Sequence, residues 1–107
     1  CPMDLRFLYI TAKNTGEAKR IGRALVEEHL VACVNILENA RSIYFWKGKL
    51  EEGSEAVLFA KTRADLVHKV INRVKKLHSY DCPCIVSLPI LEGNPEFCSW
   101  VEEWTGR

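Results

Sequence analysis

A chain of 107 residues with 48% apolar and 27% charged residues is one globular domain with a modest core. Its formal net charge of +1 gives no bulk electrostatic ground for a nucleic-acid or membrane partner, and no apolar stretch approaches the roughly 18 residues that span a bilayer. The five cysteines, Cys1, Cys33, Cys82, Cys84 and Cys98, are an odd and sparse set, which fits reduced thiols in a cytoplasmic compartment better than a secreted disulfide scaffold.

Leu5 to Thr11 (LRFLYIT) is rich in β-branched and aromatic residues and is expected to be a strand. Asn14-Thr15-Gly16 interrupts it. Thr15 is the expected N-cap of a helix that runs to about Leu30, because Ala18, Ile21, Leu25 and Val26 recur at helical spacing. Cys33 to Leu37 is apolar again and reads as a second strand, continuing past Asn39 to Trp46. After the turn Lys47-Gly48-Lys49, a third strand returns from Glu55 to Thr62. Residues 33–62 therefore form a long hairpin, with irregularities expected near 38–40 and near 51–54.

Leu66, Val67, Val70, Ile71, Val74 and Leu77 mark a second amphipathic helix. Cys84 to Leu91 is the fourth strand. Asn94-Pro95 opens a short C-terminal helix through Trp100 and Trp104, with Pro95 suited to the first helical position. The order is βαββαβ plus a helix. This is an α+β, ferredoxin-like domain over residues 1–107, with one helix layer on an antiparallel sheet. Strand four carries Cys84, Val86, Leu88 and Ile90 on one face and Ile85 and Leu91 on the other, and Ile43-Tyr44-Phe45-Trp46 is unbroken. A sheet apolar on both faces but covered by helices on one is expected to bury the other against copies of itself.

The densest chemistry lies in HSYDCPCIVSLPI, His78 to Ile90. Pro83 drives Cys82 into an extended conformation. Cys82 and Cys84 then share a face with Cα atoms roughly 6.5–7 Å apart, at the edge of disulfide reach. Two such thiolates suit a soft ion such as Cu(I), with His78 and Asp81 as further candidate ligands and Cys33 as a third thiol if subunit boundaries bring it near. The structural alternative is that Cys33 and Cys84 are small packed hydrophobes and that His78 serves the helix C-terminus. His29 has the same structural reading, and His68 is expected to be solvated. Lys61 ends an apolar strand, where it either snorkels to water or meets an anion. Tyr44, Trp46, Tyr80 and Trp100 are packing residues first and cleft-lining residues second. A phosphate-cradling loop, a nucleophilic serine motif and a CxxC pair are all missing, so the chain is read as a non-enzyme.

Ala32-Cys33-Val34-Asn35-Ile36, Ser42-Ile43-Tyr44-Phe45-Trp46-Lys47-Gly48-Lys49, Glu55 with Lys61-Thr62, His78-Ser79-Tyr80-Asp81-Cys82-Pro83 and Leu88-Pro89-Ile90 with Gly93 and Trp100 resemble the CutA divalent-cation tolerance proteins. The motifs fall in the family's order over nearly the whole chain. The resemblance implies a tight homotrimer with sheets inward and helices outward. It implies an association with tolerance of copper and other divalent metal ions, and an architecture similar to the trimeric P-II signalling proteins. The family's His-Pro-Tyr-Glu, apolar residue, Pro, Glu is altered here: Ser79 replaces the proline, Asp81 the first glutamate and Cys84 the second. The last change turns a hard oxygen donor into a soft thiol.

Two functions follow as expectations. One is a trimeric copper-binding or divalent-metal-binding tolerance protein using Cys33, Cys82, Cys84, His78 and Asp81. The other is a P-II-like module whose inter-subunit clefts, lined by Lys61, Tyr80, Trp46 and Trp100, take a small anionic ligand or a protein partner. An acylphosphatase-like enzyme is disfavoured, because Ala12-Lys13-Asn14-Thr15-Gly16 lacks the arginine that such an anion cradle needs.

Overall fold

The computed structural model describes residues 4–107; Cys1 lies outside the described residues. Alternation along β1 (Leu5–Ala12) sets the architecture. Leu8, Ile10 and Ala12 are fully buried on one face, which leaves Phe7, Tyr9 and Thr11 on the other. Helix α1 (Thr15–Glu27) covers the first face with Ala18, Ile21 and Leu25. Its N-cap is Asn14 rather than Thr15: the Asn14 side chain accepts the Glu17 N–H at 2.9 Å. The helix also stops short of Leu30. His29 adopts a left-handed φ of 58°, and Leu30 N–H and Val31 N–H both turn back to the Leu25 carbonyl. Gly22 permits close packing here, since a Cβ would sit 2.9 Å from Val34 Cγ2.

Strands β2 (Cys33–Trp46) and β3 (Lys49–Arg63) form the long hairpin. Its register shifts between Leu37 and Ala40, the irregularity expected near 38–40. The second one, expected near 51–54, does not occur: the ladder is unbroken from Ala40 opposite Glu55 to Trp46 opposite Lys49. The third strand therefore begins at Lys49, not Glu55. Lys47 and Gly48 both take positive φ, 52° and 78°, the geometry that matches strand twist and lets pairing start at once. The polar run Glu51-Glu52-Gly53-Ser54 tolerates this because the arm is solvated, and Arg41 pairs with Glu52 across it at 3.3 Å.

A 3₁₀ turn (Ala64–Leu66) leads into α2 (Val67–Leu77), which buries Val67, Val70 and Val74 in the same core as α1. Strand β4 (Ile85–Pro89) is shorter than Cys84–Leu91, since its pairing with β1 spans only Ile85 to Pro89. Helix α3 (Pro95–Glu103) starts at the Asn94 cap and packs Cys98 and Val101 against Leu5 and Ala32. The sheet order β2-β3-β1-β4, all antiparallel, with two helices on one core, is the expected α+β ferredoxin-like arrangement. One cysteine departs from the reading of reduced thiols throughout: Cys98 is disulfide-bonded, whereas Cys33, Cys82 and Cys84 are free.

Registers assign the second sheet face. Phe7 lies opposite Lys61 and Leu88, Tyr9 opposite Phe59 and Val86, and Cys33 opposite Lys61. Phe7 stacks on Phe59 at 5.2 Å, while Val86 and Leu88 stay half exposed. Beyond Ala40 and Glu55 the β2–β3 arm pairs only with itself, and it exposes Ile43, Phe45 and Leu50.

Candidate functional site

The far end of β1, the base of the arm and the turn after α2 enclose one open cleft of about 810 Å³. Its lining includes Tyr9, Thr11, Arg41, Tyr44, Trp46, Glu55, Tyr80, Asp81, Cys82 and Cys84. The turn from Ser79 to Cys84 supplies the thiols, and two buried groups behind it hold its shape. His78 caps α2 and turns inward. Its ring Nε2–H donates to the Thr11 carbonyl at 2.6 Å, so Nδ1 accepts the Tyr80 N–H at 3.1 Å. Behind it, the buried Glu17 carboxylate accepts the Lys13 N–H and the Ser79 N–H, both at 3.1 Å. Burial alone would raise the Glu17 carboxyl, but the Lys13 N–H and the Ser79 side chain and N–H outweigh it and hold the group below its ordinary value.

On the cleft wall, the Tyr80 hydroxyl donates to Glu55 Oε2 at 2.9 Å. Burial first, then the Glu55 carboxylate, pushes that phenol far above its ordinary value. Tyr80 thus stays protonated and pins Glu55. The Cys84 thiol is also pushed up, by burial and then by Glu55 and Cys82, against the Thr11 side chain's opposing hydrogen bond. Cys84 therefore rests as a thiol and needs a metal to drive its proton off.

Trp46 and Tyr80 of the expected anion cleft and Asp81, Cys82 and Cys84 of the expected metal set all line this one cleft. The other candidates do not. His78 is 9% exposed with both ring nitrogens engaged, so it positions the turn and offers no free ligand atom. Cys33 shares the free sheet face with Cys84, but four residues along and three strands across separate them, about 19 Å by strand geometry. Among the described residues no three-thiol site forms. Lys61 lies on the sheet face outside the cleft, where Nζ donates to Asn35 Oδ1 and sits 5.9 Å from the Phe7 ring centroid. Trp100 stacks on Phe97 in α3 and does not line the cleft. Among the described residues, no three His, Cys, Asp or Glu side chains converge to hold one ion.

Sequence reasoning passed over Glu17, Arg41 and, as a cleft residue, Glu55. Glu55 had a readable signal: it continues the Val57–Phe59–Lys61 face, where a carboxylate is out of place. Glu17 had a weaker one, three residues after the Asn14 cap.

A family model for the CutA1 divalent ion tolerance protein matches residues 6–104. The chain belongs to the CutA1 family. It is 47% identical over 97 residues to a divalent-cation tolerance protein CutA of Thermus thermophilus, covering 91% of this chain and 94% of that protein. It is 39% identical over 104 residues to protein CutA of Mus musculus, covering 97% of this chain but only 59% of the mouse protein's length. Among solved structures, the Thermus thermophilus family member superposes with a TM-score of 0.93 at 45% identity, covering 95% of this chain and 99% of that one. The CutA1 of Ehrlichia chaffeensis superposes with a TM-score of 0.93 at 32% identity over the whole of both chains. The family match accounts for the ferredoxin-like sheet and for the long arm as a shared feature rather than a local anomaly. The described residues of this CutA1-family chain include no helix long and apolar enough to cross a membrane.

Proposed function

We propose that this chain is a homotrimeric metal-ion-binding protein serving metal tolerance, with copper as its ion and the Cys82–Cys84 cleft as its site. The observation that carries the reading is that Cys82 and Cys84 line one cleft, with Asp81 and Glu55 also on its walls, in a family described by divalent ion tolerance. Arg41 also lines the cleft, with its guanidinium paired to Glu52. The role is binding, not catalysis: Tyr80 is held protonated and the two thiols lack a histidine base. The free Cys33, Cys82 and Cys84 support a cytoplasmic place, and the Cys98 disulfide is the feature that opposes it.

Anaerobic equilibrium dialysis of the reduced protein against Cu(I) is expected to give about one ion per chain, taking the cleft's ligand set as one site. Uptake should be lost in the Cys82→Ala/Cys84→Ala/Asp81→Ala variant and kept in Cys33→Ala. Uptake that ignores the triple variant overturns the site. Self-association rests on the apolar second sheet face and the unpartnered arm, which need a cover. Native mass spectrometry should show three chains of 12.2 kDa, and Leu88→Glu, which places a charge in that face, should shift the population towards monomer. A wild-type monomer at micromolar concentration would refute the trimer.

The second reading, a P-II-like cleft for a small anion, finds less support. Lys61 and Trp100 are absent from the cleft of one chain, and its carboxylates Glu55 and Asp81 oppose an anion.

A further inference from the structure

We infer that Cys82 and Cys84 form a two-coordinate site for a monovalent soft ion, Cu(I) or Ag(I), rather than a site for a divalent one. The inference rests on the cleft being the metal site and adds the ion's charge and coordination.

Ligand supply decides the ion class. Cys82 and Cys84 are free, exposed and line the same cleft. Pro83 between them has no N–H and a fixed φ, which stiffens the span between the two cysteines. Both precede β4, in the turn that leads into the strand at Ile85. An ion between the sulfurs would make two metal–sulfur bonds of about 2.3 Å, as zinc does.

A third donor does not converge with them. The His78 nitrogens hold Thr11 and Tyr80, the Glu55 carboxylate accepts the Tyr80 hydroxyl, Cys33 is remote, and Asp81, though it lines the cleft, forms no group of three with the two thiols among the described residues. Zinc and calcium require four or more donors, whereas a soft d¹⁰ monovalent ion is satisfied by two thiolates. Binding breaks two S–H bonds and forms two metal–sulfur bonds. Both protons leave to solvent and no electron is transferred. The resulting S–M–S unit carries one negative charge.

The test titrates reduced protein with Ag(I), and separately with Zn(II), reading ions per chain by native mass spectrometry and proton release in weak buffer. One Ag(I) per chain with release of up to two protons is expected. The gain should vanish in Cys82→Ser and in Cys84→Ser singly and persist in Cys33→Ser, with circular dichroism confirming that each variant is folded. Silver uptake surviving either single serine variant overturns the two-thiol site. Zinc held in competition with an equal amount of silver also overturns it, because it requires further donors. If Cu(II) or Zn(II) binds through Asp81 and Glu55 while Ag(I) ignores the thiols, the cleft remains a metal site and only the monovalent assignment fails. If no ion binds, both readings fail together.

Discussion

Leu58→Ala is expected to lower the unfolding free energy by about 2–5 kcal/mol. Leu58 has no exposed surface. It sits at the centre of β3, opposite Ile10 on one side and Ile36 on the other. Its side chain lies under α1, where a Cβ on Gly22 would already come within 3.4 Å of Leu58 Cδ2. Removing three carbons there, two of them methyl groups, leaves a void that a three-strand span of sheet cannot close. Against a total stability of about 5–15 kcal/mol for a small domain, that is a large fraction. Leu37→Ala is the control. Leu37 is 54% exposed in the single chain, and its loss should change subunit stability by about 0.5 kcal/mol or less. Urea unfolding at fixed protein concentration measures both, because self-association shifts the apparent value. A Leu58→Ala cost no larger than that of Leu37→Ala would mean the core is not where the burial places it.

Glu17→Ala should cost about 2–4 kcal/mol, because it strands two amide donors that lose their only acceptor behind the turn. The pH dependence has a definite sign. The folded carboxyl lies below its ordinary value of 4.5, so its contribution is complete above pH 4.5 and is lost as pH falls through the lower folded value. Wild type should therefore show an acid-limb loss of stability that Glu17→Gln lacks. Glu17→Gln keeps an acceptor oxygen and should fall between wild type and Glu17→Ala at neutral pH. Because Glu17 holds Ser79, and His78 holds Tyr80, Glu17→Ala should also weaken ion uptake at Cys82 and Cys84 without touching either thiol. An acid limb identical in wild type and Glu17→Gln would remove Glu17 from the account.

The two effects share one cause. The sheet core and the turn that carries the thiols are joined through the end of β1: Ile10 and Ala12 enter the core, while Thr11 between them receives the His78 ring. A strand that alternates its faces serves both layers at once. Disturbing the core near Leu58 is thus expected to loosen the cleft, and disturbing Glu17 is expected to leave the far core around Leu5 and Val101 unchanged.

Periodicity alone determined the element order, the ferredoxin-like class and the apolar second face, because alternation in Leu5–Ala12 and the 3.6-residue spacing in Val67–Leu77 are local signals. The bulge near Asn39 was also legible, from the break in apolar pattern. The extent of β3 was not. Glu51 to Ser54 reads as loop, yet the Lys47-Gly48 turn forces pairing from its first residue. Residue types in His78–Cys84 identified a candidate soft-ligand pair. Only the tertiary structure removed His78, Cys33, Lys61 and Trp100 from it and brought in Glu55 and Arg41. Which groups face one another depends on strand register and on contacts such as Ser79 with Glu17, 62 residues apart. Such long-range pairings follow from how the layers pack, and a single chain's residue spacing carries no record of them.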